Sequence, residues 1–199
     1  MLSSSLYASL TRNTTDYHPD PSTGFVMENS LELAGLGGDE KFLKYIFDYR
    51  HFYPAFWDTV FSVHGQLGYV MKIAKQDFSV DERFYLGGLR SLRGFRNREV
   101  GPYDEENDEY TGGNKEAYFN LEWIFPIFKD AGLKGVTFFD TGNAWDNNEM
   151  FFSKMRYSVG AGLRWMSPMG PLKLEWGYNL DPYDYEDKSV FEFSIGQFF

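Results

Sequence analysis

The chain has no cysteine. Neither a disulfide framework nor a thiolate metal site is therefore available, and the absence suits an oxidising compartment where stray thiols would cross-link. Basic residues are in deficit: 19 Lys and Arg stand against 29 Asp and Glu, a formal net charge of −10, with no basic tract. A nucleic acid finds no electrostatic footprint on such a chain, so that partner class is excluded. No apolar run is long enough for a transmembrane helix, and mean hydropathy is −0.44. Neither fact bears on membrane β-strands, which alternate lipid-facing and lumen-facing residues. The opening residues MLSSSLYASL carry no positive n-region and no continuous apolar h-region, so they do not read as a signal peptide. The expectation is a piece of a longer exported chain.

What is abundant is aromatic: 20% of the residues are Phe, Trp or Tyr. They recur with period 2, and period 3.6 is hard to find. Leu6, Ala8 and Leu10 oppose Ser5 and Ser9; Phe25, Met27, Leu31 and Leu33 oppose Glu28, Ser30 and Glu32. The same alternation runs through 43–50, 61–72, 117–125, 155–165 and 172–178, and less cleanly through 133–143. With the closing stretch 190–199, these make nine strands. One face carries Arg, Lys, Glu, Asp, Ser and Gly. The other is continuously apolar and aromatic at its ends, at Tyr53, Trp123, Phe125, Trp165, Tyr178 and Phe199. Aromatic girdles at both interfaces and strands of about nine to eleven residues are what a tilted membrane crossing requires. The fold expected is an all-β, antiparallel transmembrane β-barrel, and the apolar face meets lipid. Tight connections with Pro, at 53–55, 126–128 and 167–171, alternate with longer acidic ones, as in outer-membrane barrels with short periplasmic turns. The stretch 14–23 is longer than the other tight turns.

The longest connection, 74–114, holds FYLGGLRSLRGFRNREVGP, with Arg90, Arg93, Arg96 and Arg98 in an otherwise acidic chain. A solvated loop has no need of Leu92 and Phe95 beside an arginine, so this reads as a tip that folds back. Inward carboxylates are its candidate partners: Glu122, and Asp140 with Phe138 on the same face. Parity alone leaves open that these are ordinary lumen charges. An enzyme is not expected, and no cofactor or metal with it. His18, His51 and His64 show no ligand spacing, no GxSxG, HExxH or P-loop occurs, and the acidic run 104–109 lacks EF-hand spacing.

Four stretches, LRGF (92–95), FNLEW (119–123), FFDTGNAW (138–145) and RWMSPMGPL (164–172), together with the terminal FEFSIGQFF, resemble the C-terminal part of the Omp85 superfamily. The resemblance covers essentially the whole chain; Leu92 stands where the family usually has Val. It implies that the nine strands are the C-terminal portion of a sixteen-stranded barrel, with the signal peptide and the periplasmic POTRA repeats elsewhere. It implies that the 74–114 loop is extracellular and folds into the lumen. There Arg93, Gly94 and Phe95 would meet Glu122, Phe138, Asp140 and Gly142, with Arg93 paired to both acids and Phe138 near Phe95. The terminal strand, with Phe191, Phe193, Ile195, Gly196 and Phe199, would be an assembly signal and one side of a lateral seam.

The implied activity is assembly of β-barrel clients in the bacterial outer membrane. The implied partners are outer-membrane lipid, unfolded barrel proteins, the POTRA region and accessory lipoproteins. A dedicated secretion or translocation sibling, and from another class a plain diffusion pore, stay open. Nine strands also leave two sheet edges, to be met by a second copy, by self-closure or by a larger assembly.

Overall fold

In the computed structural model, residues 4–35, 37, 40–73, 79–168 and 170–196 are described. The strands are β1 (Ser5–Asn13), β2 (Gly24–Ala34), β3 (Phe42–Pro54), β4 (Val60–Lys72), β5 (Tyr103–Asp104), β6 (Glu109–Tyr110), β7 (Lys115–Phe128), β8 (Leu133–Trp145), β9 (Arg156–Ser167), β10 (Gly170–Asn179) and β11 (Ser189–Ile195). β5 and β6 form a two-residue ladder inside the long loop, and the other nine make one sheet in the order β1-β2-β3-β4-β7-β8-β9-β10-β11. Every neighbour pair in it is antiparallel. The expected nine strands are therefore present, as a meander.

The side chains sort inside out relative to a sheet in water. On β9, Tyr157, Val159, Leu163 and Trp165 are exposed while Arg156, Ser158 and Arg164 are buried. On β10, Leu174, Trp176 and Tyr178 are exposed while Lys173, Glu175 and Asn179 are buried. Period-2 alternation puts one set on each face. A continuous apolar outer face suits hydrocarbon, where antiparallel pairing also satisfies the backbone. The buried apolar residues form three small clusters rather than one core. Ala34, Phe42, Val70, Phe84 and Ala144 pack at one end of the strands. Phe52, Val60, Ile124 and Val136 pack at the other. Leu86, Leu92, Phe95, Val100 and Tyr118 tie the long loop to β7.

Pro54, Pro126 and Pro171 lie inside strand ends rather than in turns, while Pro168 stays in the turn between β9 and β10. β7 runs through Pro126 to Phe128 with a register shift between them, and the turn follows at 129–132. A bulge tolerates the missing N–H of proline. β3 likewise ends on Pro54, and the next turn places Trp57 and Asp58 at φ 56°. Among the described residues β1 pairs only with β2 and β11 only with β10, so the sheet has two free edges and does not close on itself.

Candidate functional site

The loop between β4 and β7 folds into the concave side of the sheet. Its stem is held by bridges Phe84↔Gly113 and Leu86↔Val100. Its tip is a small knot: the Gly88 N–H donates to the carbonyls of Leu92 and Phe95, both at 3.0 Å, and the Gly87 N–H donates to Ser91 Oγ at 2.9 Å. The tip lies against the wall because two glycines meet there. Gly94 sits at φ +89°, and a Cβ on Gly177 of β10 would fall 2.3 Å from the Gly94 nitrogen. Only glycine permits both the left-handed backbone and that approach.

This contact delivers Arg93 to a buried cluster of charges. Its Nε and Nη2 donate to the two oxygens of Asp140 on β8 at 2.7 and 2.6 Å, and its backbone N–H donates to Asp140 at 3.1 Å. Nη1 donates to Glu122 on β7 at 2.5 Å and to Glu175 on β10 at 3.1 Å. The guanidinium lies 3.6 Å above the Phe138 ring. Arg164 on β9 bridges the same acids, donating to Glu122 at 2.6 and 3.0 Å and to Glu175 at 2.8 and 3.1 Å. Lys173 Nζ stands 3.6 Å from Glu175. Three carboxylates thus face three cations, with side-chain exposures from 0 to 13%. Desolvating that many charges is tolerable only because each is paired, with Arg93 on Asp140 and Arg164 on Glu122 as two-point forks.

Of the residues expected to meet, Arg93, Glu122 and Asp140 do, and Phe138, expected near Phe95, lies instead beneath the Arg93 guanidinium. Phe95 packs with Leu86, Leu92, Val100 and Tyr118, and its ring lies 5.1 Å beneath the Arg156 guanidinium. Gly142 makes room for Tyr118, since a Cβ there would fall 2.5 Å from the Tyr118 Cβ. Glu175, Arg164 and Lys173 are additional members. Their inward parity is visible in the sequence, but nothing in it shows that β9 and β10 reach the loop tip.

A second node closes the outer end. Arg156 donates to both oxygens of Glu186 at 2.9 and 2.5 Å and to the Asp181 carbonyl at 2.8 Å. Glu186 also accepts from Asn179 Nδ2, the Tyr183 N–H and the Tyr110 hydroxyl. Burial and the nearby Glu186 carboxylate raise the Tyr110 phenol above its ordinary range. Tyr103 stacks on Tyr185 at 4.6 Å, and the hydrogen bond to Asp108 pushes its hydroxyl up to about 12. The loop hairpin and the β10–β11 connection are thereby joined.

On β11, Phe191, Phe193 and Ile195 project outward and are exposed. Glu192 points inward and accepts the Leu89 N–H at 3.1 Å. Gly196, at φ +133°, donates its N–H to the Pro171 carbonyl at 2.9 Å. Phe199 lies outside the described residues.

A profile of the Omp85 superfamily domain matches residues 1–199. The outer membrane protein assembly factor BamA of Nitratidesulfovibrio vulgaris is 37% identical over 204 residues, covering 100% of this chain and 26% of that protein. BamA of Neisseria meningitidis is 27% identical over 220 residues, covering 94% of this chain and 28% of that protein. The sorting and assembly machinery component 50 homolog of Bos taurus is 38% identical over 119 residues, 59% of this chain and 24% of that protein. In fold, the chain is similar to the crystal structure of BamA from Haemophilus ducreyi lacking POTRA domains 1–3. The TM-score is 0.85 at 22% identity, covering 97% of this chain and 42% of that one. The chain spans about a quarter of the length of the curated relatives it matches. With the whole chain inside the family profile, it belongs to the Omp85 superfamily.

Proposed function

We propose that the protein carrying this chain assembles β-barrel proteins in the bacterial outer membrane. The observation that carries the reading is the end-to-end similarity to an outer-membrane protein assembly factor, 37% identical over the whole chain. The role is physical rather than chemical, with no cofactor. An unpaired backbone group in hydrocarbon costs several kcal/mol, so a client barrel cannot insert strand by strand unaided. β11 hydrogen-bonds to β10 along one edge, and among the described residues no strand pairs with its other edge. Such an edge receives an incoming strand by β-augmentation. Gly196, with no side chain to pack, keeps the end of β11 weakly held.

The clamped loop orders the concave side beneath the seam, and Glu192 ties the loop to β11 itself. The partners in this account are unfolded barrel clients, outer-membrane lipid, periplasmic POTRA repeats and accessory lipoproteins. This chain has no native cysteine, so it contributes no competing thiol to an engineered disulfide that locks the seam of the full-length protein. Client assembly should stop when the seam is locked and resume on reduction. Assembly that continues at an unchanged rate with the lock closed would sink the seam mechanism.

A further inference from the structure

The long loop folds into the concave side, but the connection between β8 and β9 folds the other way. The outward face of the β7–β8 hairpin is apolar along most of its length, with Phe119, Leu121 and Trp123 exposed. At its outer end that face changes character. The register pairs Lys115 with Trp145 and Ala117 with Asn143, so these four share the face that Phe119 occupies. An ammonium and a carboxamide on a lipid-facing surface are costly unless something partners them. Ala117 and Trp145 have lipid-facing parity, yet both are wholly buried. The connection 146–155 accounts for both oddities.

The outward polar side chains bind the backbone of that connection. Lys115 Nζ donates to the carbonyls of Asn147 and Glu149 at 3.0 and 2.8 Å. Asn143 Nδ2 donates to the Lys154 carbonyl at 2.9 Å, and Trp145 Nε1 to the Ser153 carbonyl at 2.6 Å. The Met150 carbonyl accepts from the Ser153 hydroxyl at 2.7 Å. Unsatisfied carbonyls are what keeps irregular backbone away from hydrocarbon, and here that penalty is removed. The apolar side chains complete the seat. The rings of Phe151 and Phe152 lie 5.7 and 6.2 Å from Trp145, and Phe152 also stacks on Phe119 at 6.4 Å. Phe152 and Lys154 sit at φ 65° and 46°, left-handed conformations uncommon for bulky side chains, so these contacts hold one defined shape. Met150 is left 79% exposed and Phe152 54%.

The strand geometry gives the depth. Phe61, Trp123 and Phe125 form one aromatic belt, and aromatic belts mark a membrane interface. Phe119 lies six positions nearer the outer end of β7 than Phe125. At roughly 3.4 Å per residue and a tilt of about 40°, that is about 15 Å along the membrane normal, within an apolar band about 25 Å tall. Even with the whole 6.4 Å between the two rings directed outward, Phe152 stays inside the band. We propose that the 146–155 connection is an outer-leaflet anchor. Phe152 and Met150 enter the acyl chains of the outer leaflet and fix the depth of the β7–β8–β9 rim. The occupant is acyl chain because the patch is continuous, through Phe119, with the lipid-facing side of the sheet. Asn147, Asn148 and Lys154, which are exposed, stay at the level of the headgroups.

The test uses the full-length protein in phosphatidylcholine nanodiscs with its methionine methyl groups labelled with ¹³C. Met150→Leu, a conservative change at an exposed position, identifies the Met150 signal. Because this side chain is so little covered by protein, its methyl meets either water or lipid. Two paramagnetic probes separate these: a nitroxide on an upper acyl-chain carbon of the lipid, and a water-soluble gadolinium chelate. The nitroxide lipid should attenuate the Met150 signal several-fold more than the chelate does. Equal or stronger attenuation by the chelate overturns the proposal. So does a signal that neither probe touches, which would mean that protein covers the patch. Phe152→Asn removes the ring but keeps a residue that tolerates the left-handed backbone. In that variant the chelate should gain access to Met150, and a chelate effect unchanged from the native protein would overturn the anchoring role of Phe152. Client assembly does not enter either readout, so the anchor and the assembly role stand or fall separately.

Discussion

Arg93 donates to carboxylates on three different strands, so removing it strands buried acids rather than one contact. Breaking one partner of a buried ion pair typically costs roughly 3–5 kcal/mol. Arg93→Ala should therefore lower the urea midpoint of the folded protein and expose the loop to protease between 84 and 102. Cleavage at the native rate would contradict this. Arg93→Lys should rescue little, since an ammonium cannot engage both oxygens of Asp140 while reaching Glu122 and Glu175. Gly177→Ala should resemble Arg93→Ala in protease sensitivity, because its methyl would occupy the space of the Gly94 nitrogen.

At this scale Arg93, Glu122 and Asp140 were legible from parity together with the family's motifs. Glu175 and Arg164 were not, because parity gives a residue's face but neither its depth nor which strands curve toward the loop. The link from Asp48 through His64 to Asn120, at 2.7 and 3.0 Å, was invisible for the same reason. It depends on the registers His64↔Asn120 and Arg50↔His64, which no local pattern prints.

The strands themselves were the most legible elements, since alternation between a charged and an aromatic face is written into each of them. The turns were less so. Pro126 and Pro54 read as turn residues, yet a bulge and a strand end accommodate them. The long turn 14–23 proves to be a built element. Asp16 accepts from the Ser22 N–H at 2.9 Å, the Ser22 hydroxyl at 2.5 Å and the Thr23 N–H at 3.3 Å, and Asp20 pairs with the inward Lys134 of β8 at 2.5 Å. Partial burial works to raise the Asp16 carboxyl, but these hydrogen bonds outweigh it and hold the group at about 2. A depressed carboxyl contributes its full stability above the ordinary value near 3.8, and that contribution is lost as pH falls through about 2. Amide exchange at Ser22 and Thr23 should stay slow at pH 4 and accelerate toward pH 2. Loss of protection already at pH 4 would contradict the assignment.

The turn after β3 makes a different prediction. Trp57 is 82% exposed and held at a left-handed φ by a turn closed by the Ala55 N–H to Thr59 carbonyl bond, and Asp58 beside it pairs with Lys129. An exposed indole packed edge-on to Phe56, at the end of the sheet where Phe61, Trp123 and Phe125 cluster, suits the membrane interface. In a variant retaining Trp57 as the one tryptophan, brominated lipid should quench its fluorescence, and undiminished emission would place the turn away from lipid.

For the whole molecule, the sheet presents an apolar exterior, a charged concave side and two free edges. The loop couples these parts. Its tip is anchored to β7, β8 and β10 by Arg93, to β4 through Asn120 and His64, and to β11 by Glu192. The β11 edge, the proposed seam, is thus in direct contact with the element that the charge cluster holds in place. The most direct test of that coupling is the folding rate of a urea-denatured porin added to liposomes that contain the full-length protein. The account predicts acceleration over empty liposomes, reduced by Arg93→Ala in protein that is itself folded. No acceleration by the native protein would contradict the assembly role and favour a dedicated secretion function, and acceleration indifferent to Arg93→Ala would contradict the loop's part in it.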